Sequence, residues 1–155
     1  MGASQTTRRS ATPPGDPAPT GYAAGLALVA LGGAAGTLAR YGLGLLWADA
    51  AGVTLAVNLA GAFVLGALVT LLGSAAARSW PGARAERLRL LLGTGVLGGF
   101  TTYSGLATQT GQLLLAGDAP SALGYAGFSL VGGLVASLAG IWAGSLGNPR
   151  AARAS

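Results

Sequence analysis

The sequence predicts an all-α membrane protein with four transmembrane helices, the third of them broken near mid-membrane. Three observations lead to this class. Of the 155 residues, 52% are hydrophobic and only 8% are charged, whereas a soluble domain carries about 25% charged residues. Four apolar runs exceed about 18 residues, the length that indicates a membrane-spanning helix. The third run holds a cluster of glycines followed by hydroxyl residues, a composition that disfavours a continuous helix.

The two ends of the chain are predicted to lie outside the membrane domain. Residues 1–20 hold four of the seven prolines together with Arg8 and Arg9, so they are predicted to form a disordered cytoplasmic tail. This polar stretch and the apolar run after it lack the features of a cleaved signal peptide. Residues 21–147 are predicted to form one four-helix transmembrane domain, and residues 148–155 a second cytoplasmic tail.

Charge and composition exclude several classes of function. The net charge of +5 comes from arginine, without lysine. The arginines lie at the ends of the apolar runs, so lipid headgroups and membrane orientation explain them better than nucleic acid does. The absence of cysteine and histidine excludes disulfides, thiol chemistry and the commonest zinc ligands. Because no pair of a nucleophile and a base is recognisable, an enzyme is the least expected class.

The first span, about Tyr22 to Trp47, carries small residues and one charge at intervals of four. Gly32, Gly36, Arg40 and Gly44 therefore share one helix face. Small residues at this spacing allow another helix to approach closely. A charge within a span is costly, which favours a packed or water-facing role for Arg40. The alternative is that its side chain extends to the nearer membrane interface.

The second span, Val53 to Gly73, has one strongly polar residue, Asn58, and Gly61 lies one turn further along the same face. An asparagine side chain offers two amide donors and one acceptor, so two roles are open. It could join two helices by hydrogen bonds, or it could face a pore as a donor. Composition alone favours the first role.

The third span, Leu90 to Ala116, contains the stretch Gly93 to Gln112, around which the rest of the chain is organised. Glycines stand at positions 93, 95, 98 and 99. Hydroxyl side chains interleave with them or follow them: Thr94, Thr101, Thr102, Tyr103, Ser104, Thr108 and Thr110. Within a bilayer, backbone leaves the helical form only where it lines a cavity or is buried in protein. A break in this stretch therefore predicts a functional site.

The hydroxyl residues of this span allow two interpretations. On a helix, Thr101, Ser104, Thr108 and Gln112 would share one face, and this hydroxyl row could replace the hydration shell of a small ion. Carbonyls freed by the break would suit a hard cation such as sodium. Alternatively, the hydroxyls bond carbonyls one turn earlier and only bend the helix. Spacing alone favours neither interpretation.

The fourth span runs from about Ala122 to Leu146. Tyr125 and Ser129 lie four residues apart, on one face of it. Small residues also recur every four positions: Gly132, Ala136, Gly140 and Gly144. This second stripe predicts another close helix contact.

The arginines predict the orientation of the spans. Eight of the nine lie in the two tails and in the loop from Ser74 to Arg89, whereas the first and third loops carry none. By the positive-inside rule, both termini and the middle loop are then cytoplasmic. The predicted location is the cell membrane, as a multi-pass protein.

Three motifs follow one another in the first three spans. They are GGAAGTLARYGL from Gly32 to Leu43, TLAVNLAGAFVLG from Thr54 to Gly66, and GGFTTYSGL from Gly98 to Leu106. Together they resemble the CrcB/Fluc family of fluoride ion channels, and the resemblance extends over about residues 21–146. Jointly the motifs are specific, although the glycine-rich pieces alone would be weak.

The resemblance implies a dimer of two antiparallel subunits, with two pores at the interface and a structural sodium ion (Na⁺) at the centre. By position, the main-chain carbonyls of Gly98 and Thr101 would bind the sodium. Arg40 would match an arginine of the vestibule, and Asn58 would line the pore. The other pore-lining residues implied by position are Thr102, Tyr103, Ser104, Leu106 and Ser129.

The sequence departs from the family pattern close to the break. The family has two phenylalanines whose ring edges face the ion. Here Tyr103 keeps a ring, but Leu106 is aliphatic and offers no positive edge. Gly105 stands where the family usually has a threonine. A homodimer would then have an impaired pore, and the one-sided arginines favour a single orientation, so an oppositely oriented paralogue is a second candidate partner.

The function implied by the resemblance is a fluoride-specific channel that lets fluoride leave the cytoplasm passively. One alternative is a small-molecule exporter of the four-helix dual-topology type, which would exchange protons through a membrane carboxylate. All four acidic residues, however, lie in tails or loops: Asp16, Asp49, Glu86 and Asp118. The other alternative, a non-conducting structural subunit, would explain the small-residue stripes but not the hydroxyl row beside a helix break.

Overall fold

The computed structural model describes residues 21–47, 49–74 and 80–146. The two predicted tails lie outside the described residues, as do Arg78 and Asp16. Within the described ranges the chain is helical and contains no strand. Four segments are long and apolar enough to cross a membrane: Tyr22–Leu46, Ala50–Leu72, Gly82–Leu115 and Ala119–Leu146. The predicted class, an all-α membrane protein with four transmembrane helices, is confirmed.

Helix α1 covers Tyr22–Leu46 and α2 covers Ala50–Leu72. Helix α2 begins three residues before the predicted start because Asp49 caps it. The Ala51 N–H donates to the Asp49 carboxylate at 3.1 Å. Such a bond satisfies one of the unpaired N–H groups that every helix start exposes. Asp49, the first acidic residue of the membrane domain, is therefore a helix cap.

The third span is the longest and the least regular. It begins with α3 (Gly82–Leu88), continues as a π-helix (Arg89–Leu97) and ends its first half with the single turn α4 (Gly98–Phe100). Thr101 and Thr102 are extended, with ψ angles of 159° and 116°. Helix α5 (Tyr103–Leu115) follows. A π-helix is rare and is often found next to functional sites.

The prediction of a loop from Ser74 to Arg89 is wrong for its second half. The chain is helical from Gly82 onward, eight residues before the predicted start of the span. Long arginine side chains can extend from a helix end into water or headgroups while the backbone keeps its helical hydrogen bonds. A charged composition therefore marks the interface and not the end of the helix.

Helix α5 ends in a turn built on Gly117, whose φ of +79° lies in the left-handed region that favours glycine. The Gly117 and Asp118 N–H groups donate to the carbonyls of Leu114 and Leu113, at 3.0 and 2.9 Å, which is a Schellman arrangement. Asp118 then caps α6 (Ala119–Leu146) by accepting from the Ser121 N–H at 3.1 Å. Hydrogen bonds from Ser121 lower the pKa of the Asp118 carboxyl.

The helices pack as two pairs. Helix α2 packs along α6, and α1 packs along the π-helix and α4. After the extended residues, α5 contacts α6, while α2 contacts the span on both sides of the break. The break in the third span thus transfers the chain from one helix pair to the other.

Glycines at both pair contacts confirm the predicted close approach. A Cβ at Gly32 would overlap the Leu91 carbonyl oxygen, and one at Gly36 would overlap that of Val96. In the other pair, a Cβ at Gly140 would overlap the Phe63 carbonyl oxygen. Gly44 differs, because a Cβ there would meet nothing within 4 Å. The first stripe therefore makes close contacts at Gly32 and Gly36 but not at Gly44.

Candidate functional site

The extended residues of the third span are held by the side-chain amide of Asn58 on α2. Asn58 Nδ2 donates to the Thr102 carbonyl at 3.0 Å, and Asn58 Oδ1 accepts from the Thr102 N–H at 2.8 Å. These bonds satisfy the N–H and the carbonyl of Thr102, which would otherwise be costly to leave unbonded in an apolar environment. Since Nδ2 carries two hydrogens, one N–H remains for another acceptor.

The change of hydrogen-bond partners at the break also frees the carbonyls of Gly98 and Thr101. In a continuous helix the Thr102 N–H would donate to the Gly98 carbonyl, and the Gly105 N–H would donate to the Thr101 carbonyl. Here Thr102 donates to Asn58, and Gly105 donates to Thr102 Oγ1 at 3.0 Å. The Gly98 and Thr101 carbonyls, which the resemblance assigns to sodium, are therefore among those that lose their helical donors at the break.

The surroundings of these carbonyls fit a hard cation. Gly98 is exposed, and a Cβ there would meet nothing within 4 Å. Within the described ranges, no group of three or more Asp, Glu, His or Cys side chains could hold a metal ion. Neutral oxygens at the break are the cation ligands that this part of the chain offers, and hard cations prefer oxygen.

Arg40 reaches the third span and does not simply extend along its own helix. Its Nε donates to the Gly99 carbonyl at 3.3 Å. The Thr37 hydroxyl donates to the same carbonyl at 3.4 Å. Arg40 therefore brings a positive charge to the residue that follows Gly98, and it anchors α1 to the N-terminal side of the break.

Two cavities lie on either side of the break. The first, of about 380 Å³, is called here the Ser129 cavity. The residues expected in the site that line it are Asn58, Gly98, Thr101, Thr102, Tyr103, Leu106 and Ser129. The second, of about 500 Å³, is called the Arg40 cavity, and the expected residues that line it are Arg40, Thr102 and Ser104. Thr102 lines both cavities.

Ser129 contributes an unsatisfied hydroxyl to its cavity. The residue is 9% exposed, and its Oγ is buried without a hydrogen-bond partner in the part of the chain that the structure describes. Buried hydroxyls are nearly always bonded, so an unbonded one needs an explanation such as an ion or a water. Ser129 can donate to a species that enters the cavity.

The predicted hydroxyl row is divided in the structure. Thr101 Oγ1 donates to the Leu97 carbonyl at 2.8 Å. Its hydroxyl therefore bonds a carbonyl one turn earlier, as the alternative interpretation predicted. Because the chain is extended at Thr101 and Thr102, Thr101 leaves the register of α5. Thr101 lines the Ser129 cavity, whereas Ser104 and Thr108 line the Arg40 cavity.

Comparison with known proteins places these features in a family. A sequence model of the family described as "CrcB-like protein, Camphor Resistance (CrcB)" matches residues 27–141. The chain belongs to this family. A relative from Gloeobacter violaceus is 49% identical over 119 residues, which cover 73% of this chain and 90% of the relative. It is named "Fluoride-specific ion channel FluC".

Other relatives carry the same name. One from Thermus thermophilus is 45% identical over 118 residues, which cover 73% of this chain and 89% of the relative. One from Leifsonia xyli, named "Fluoride-specific ion channel FluC 2", is 44% identical over 124 residues, which cover 76% of this chain and 81% of the relative. The resemblance stated from the motifs is thus confirmed over most of the chain.

At Gly105, where the resemblance leads to the expectation of a threonine, a side chain would have little space. A Cβ at Gly105 would lie 2.8 Å from Thr102 Cγ2 and 3.1 Å from Thr54 Oγ1. The space that a larger residue at this position would need is therefore occupied by Thr102 and by Thr54, which is buried and lines the Arg40 cavity. Glycine is the residue that requires no shift of these side chains.

Two residues of the site were not singled out from the sequence. Thr54 lies one turn before Asn58 on α2, and this spacing was the available signal. Thr37, which bonds the Gly99 carbonyl, lies three residues before Arg40 but carries no signal that separates it from the other threonines. Both act through contacts with the third span.

Proposed function

We propose that this chain is the subunit of a fluoride-specific channel that allows passive efflux of fluoride and lowers its cytoplasmic concentration. The observation that carries the proposal is the extended pair Thr101 and Thr102, held by Asn58 between two cavities. The names of the relatives supply the identity of the ion. They also agree with the prediction that the protein is not an enzyme.

The side chains around the break suit a small anion that must lose its hydration. The remaining N–H of Asn58 and the unbonded hydroxyl of Ser129 both belong to residues of the Ser129 cavity. Tyr103, in the same cavity, has an aromatic ring with a positive edge. Leu106 beside it has none, so this chain relies more on N–H and O–H donors than on ring edges. Donors of these kinds replace water around an anion.

A sodium ion would complete the site. The Gly98 and Thr101 carbonyls, freed from helical bonding, would hold it. A bound cation supplies a fixed positive charge, which lowers the cost of an anion in a medium of low dielectric constant. The Arg40 guanidinium contributes a second positive charge at the neighbouring Gly99 carbonyl.

The proposed assembly is a dimer of two antiparallel copies. Hard cations take about six or more oxygen ligands, and the break offers two carbonyls per chain, so a second chain would supply further ligands. Gly98 and Tyr103 are both exposed in the single chain, and Tyr103 is 83% exposed. A partner seated on this surface would cover them and close the cavities beside the break.

The partner is either a second copy or an oppositely oriented paralogue. One-sided arginines favour a single orientation for this chain, with both termini in the cytoplasm. Leu106 removes one ring edge from each copy, and a paralogue with an aromatic residue there would restore it. Both observations support the paralogue, whereas the two carbonyls at the break are compatible with either partner.

A proton-coupled exporter is less well supported. Among the described residues, neither cavity is lined by an aspartate or a glutamate. Asp49 and Asp118 cap helices at the ends of spans, and Glu86 lies in α3. A carboxylate that exchanges protons within the membrane is therefore missing from both candidate pathways.

The proposal is tested by fluoride efflux from liposomes that contain the purified chain. Vesicles loaded with potassium fluoride are made permeable to potassium, and released fluoride is measured with an ion-selective electrode. We expect rapid release of fluoride and slow release from vesicles loaded with chloride. If the chain alone is inactive, the paralogue from the same genome is added. Absence of fluoride release in both cases would contradict the proposal.

A further inference from the structure

A third cavity lies near the beginning of the third span, away from the break. It has a volume of about 420 Å³ and is called here the Arg84 groove. Leu28 of α1 and Leu88 and Leu91 of the third span give it apolar walls, and Arg84 and Arg87 of α3 line its other end. It shares no lining residue with the Arg40 or the Ser129 cavity.

The charge of the groove is positive. Arg84 and Arg87 both line it, and its lining contains no aspartate or glutamate among the residues that the structure describes. The two arginines are three positions apart on α3, which places them side by side on one helix face. Two neighbouring guanidinium groups favour an oxyanion such as a phosphate, which guanidinium binds in a two-pronged geometry.

Trp80 holds one of these guanidinium groups in place. The Cζ atom of Arg84 lies 4.9 Å from the centre of the Trp80 ring, within the range of a cation–π contact. A guanidinium stacked on a ring still presents its N–H groups along its edge. Trp80 therefore limits the motion of Arg84 and leaves its hydrogen-bond donors available.

The groove extends along enough of the helix to span a membrane interface. Along a helix, Leu91 lies about 10 Å beyond Arg84 at roughly 1.5 Å per residue. The third span has 34 residues, whereas about 20 cross the hydrocarbon core. Its charged first turns can therefore lie at headgroup level while its leucines face acyl chains. Tryptophan, the residue type of Trp80, is also enriched at the membrane interface.

We propose that the Arg84 groove binds one anionic phospholipid from the cytoplasmic leaflet. Arg84 and Arg87 hold its phosphate, and an acyl chain lies against Leu28, Leu88 and Leu91. The apolar walls favour a lipid over a soluble phosphate or a nucleic acid, neither of which would cover the leucines. The positive end favours an anionic headgroup over a zwitterionic one. This inference does not depend on fluoride conduction.

The test uses the full chain in vesicles with Trp80 as the only tryptophan. The chain has three tryptophans, so Trp47→Phe and Trp142→Phe leave Trp80. Its fluorescence is titrated with phosphatidylglycerol that carries brominated acyl chains, and separately with brominated phosphatidylcholine. Because each arginine favours anionic lipid, we expect half-quenching at an about tenfold lower mole fraction of the brominated phosphatidylglycerol. Equal quenching by the two lipids would overturn the proposal.

A matched pair of variants separates the groove from general surface charge. Arg87→Gln and Arg89→Gln each remove one charge from the same segment, but Arg89 does not line the groove. We expect Arg87→Gln to abolish most of the preference for phosphatidylglycerol and Arg89→Gln to keep it. Arg84→Gln serves as the second groove variant if Arg87→Gln does not fold. An equal loss in the groove and Arg89 variants would refute a defined site.

Discussion

Asn58 and Ser129 line the same cavity but use their polar atoms differently. The Asn58 amide makes two hydrogen bonds to the backbone of Thr102. The Ser129 hydroxyl makes none that the structure describes, although the residue is buried. Substitution of Asn58 therefore affects both the shape of the break and the donors in the cavity. Substitution of Ser129 affects the donors alone.

We expect Ser129→Ala to reduce fluoride efflux about tenfold or more while the protein keeps its stability. A hydrogen bond to a charged species is worth about 1.5–3 kcal/mol, and no bond within the protein is lost. The measurement is liposome efflux together with a thermal melt. Ser145→Ala is the control on the same helix, because the Ser145 hydroxyl donates to the Trp142 carbonyl at 2.6 Å and lines neither cavity. Unchanged flux in Ser129→Ala would remove this residue from the ion path.

We expect Asn58→Asp to abolish efflux and also to destabilise the protein. Asn58 Nδ2 donates to the Thr102 carbonyl at 3.0 Å, and aspartate lacks this donor. A carboxylate can accept from the Thr102 N–H, yet it cannot donate to the Thr102 carbonyl and repels it. The loss should be about 1–3 kcal/mol, the cost of an unsatisfied buried carbonyl, measured as a lower unfolding temperature. Full flux with unchanged stability would show that Asn58 neither lines the path nor supports the break.

At the scale of elements, the third span combines three conformations, and glycines allow its first half to pack closely on α1. Its first half approaches α1 so closely that Gly95 Cα would lie 2.9 Å from a Cβ at Gly32. This contact holds the segment before the break against α1, while α5 packs on α6 and α2. Close packing on both sides fixes where the extended residues lie.

Two glycines of the same α1 stripe can separate the effect of close helix contact on stability from the effect of helix propensity. A Cβ at Gly36 would overlap the Val96 carbonyl oxygen, whereas one at Gly44 would meet nothing within 4 Å. We expect Gly36→Ala to destabilise the protein by about 1–3 kcal/mol through overpacking, seen as a lower unfolding temperature. Gly44→Ala should be neutral or slightly stabilising, since alanine is the better helix former. Equal effects of the two changes would contradict the close packing of α1 on the third span.

At the scale of the whole molecule, the single chain exposes large apolar side chains and the site itself. Phe128 is 62% exposed and Trp142 is 66% exposed, on a helix that spans the membrane. Lipid or a partner chain has to cover such surfaces. The break also reaches the surface at Gly98, where the proposed partner chain would cover it.

Sodium should stabilise the assembled protein. Binding to the folded state alone stabilises it by about 2.7 kcal/mol at a concentration 100 times the dissociation constant. We expect replacement of sodium by N-methyl-D-glucamine, at constant ionic strength, to lower the unfolding temperature and to promote dissociation. Lithium and potassium serve as controls for ion size. An unfolding temperature that is the same in all four salts would contradict a sodium site.

The orientation of the chain can be measured with one cysteine on each predicted side of the membrane. The natural sequence has no cysteine, so Ala116→Cys, in the turn before α6, and Ser155→Cys, at the end of the chain, are the only thiols in their variants. We expect an impermeant maleimide to label Ala116→Cys from outside intact cells and Ser155→Cys only after lysis. Labelling of each variant to an equal extent from both sides would show dual orientation and support the homodimer.

Local properties of the sequence determined the four spans, the close-packing glycines and the segment in which the third span is interrupted. Each of these depends on neighbouring residues: the transfer free energy of about 20 consecutive side chains, or a spacing of four along one helix. The family resemblance added the site residues by position. It could not show the carbonyls of Gly98 and Thr101 losing their helical donors.

Tertiary structure alone decided which helices pair, where the third span begins and how the hydroxyls divide. Asn58 and Thr102 are 44 positions apart, and Arg40 and Gly99 are 59 apart. No periodicity within one helix encodes such contacts, because they depend on how separate helices fit together. The hydroxyl row was predicted on a continuous helix, and it divided because Thr101 and Thr102 took extended angles, with Asn58 satisfying the backbone of Thr102. Composition predicted that the third span is interrupted, but the conformation of the interrupted residues depends on packing between distant segments.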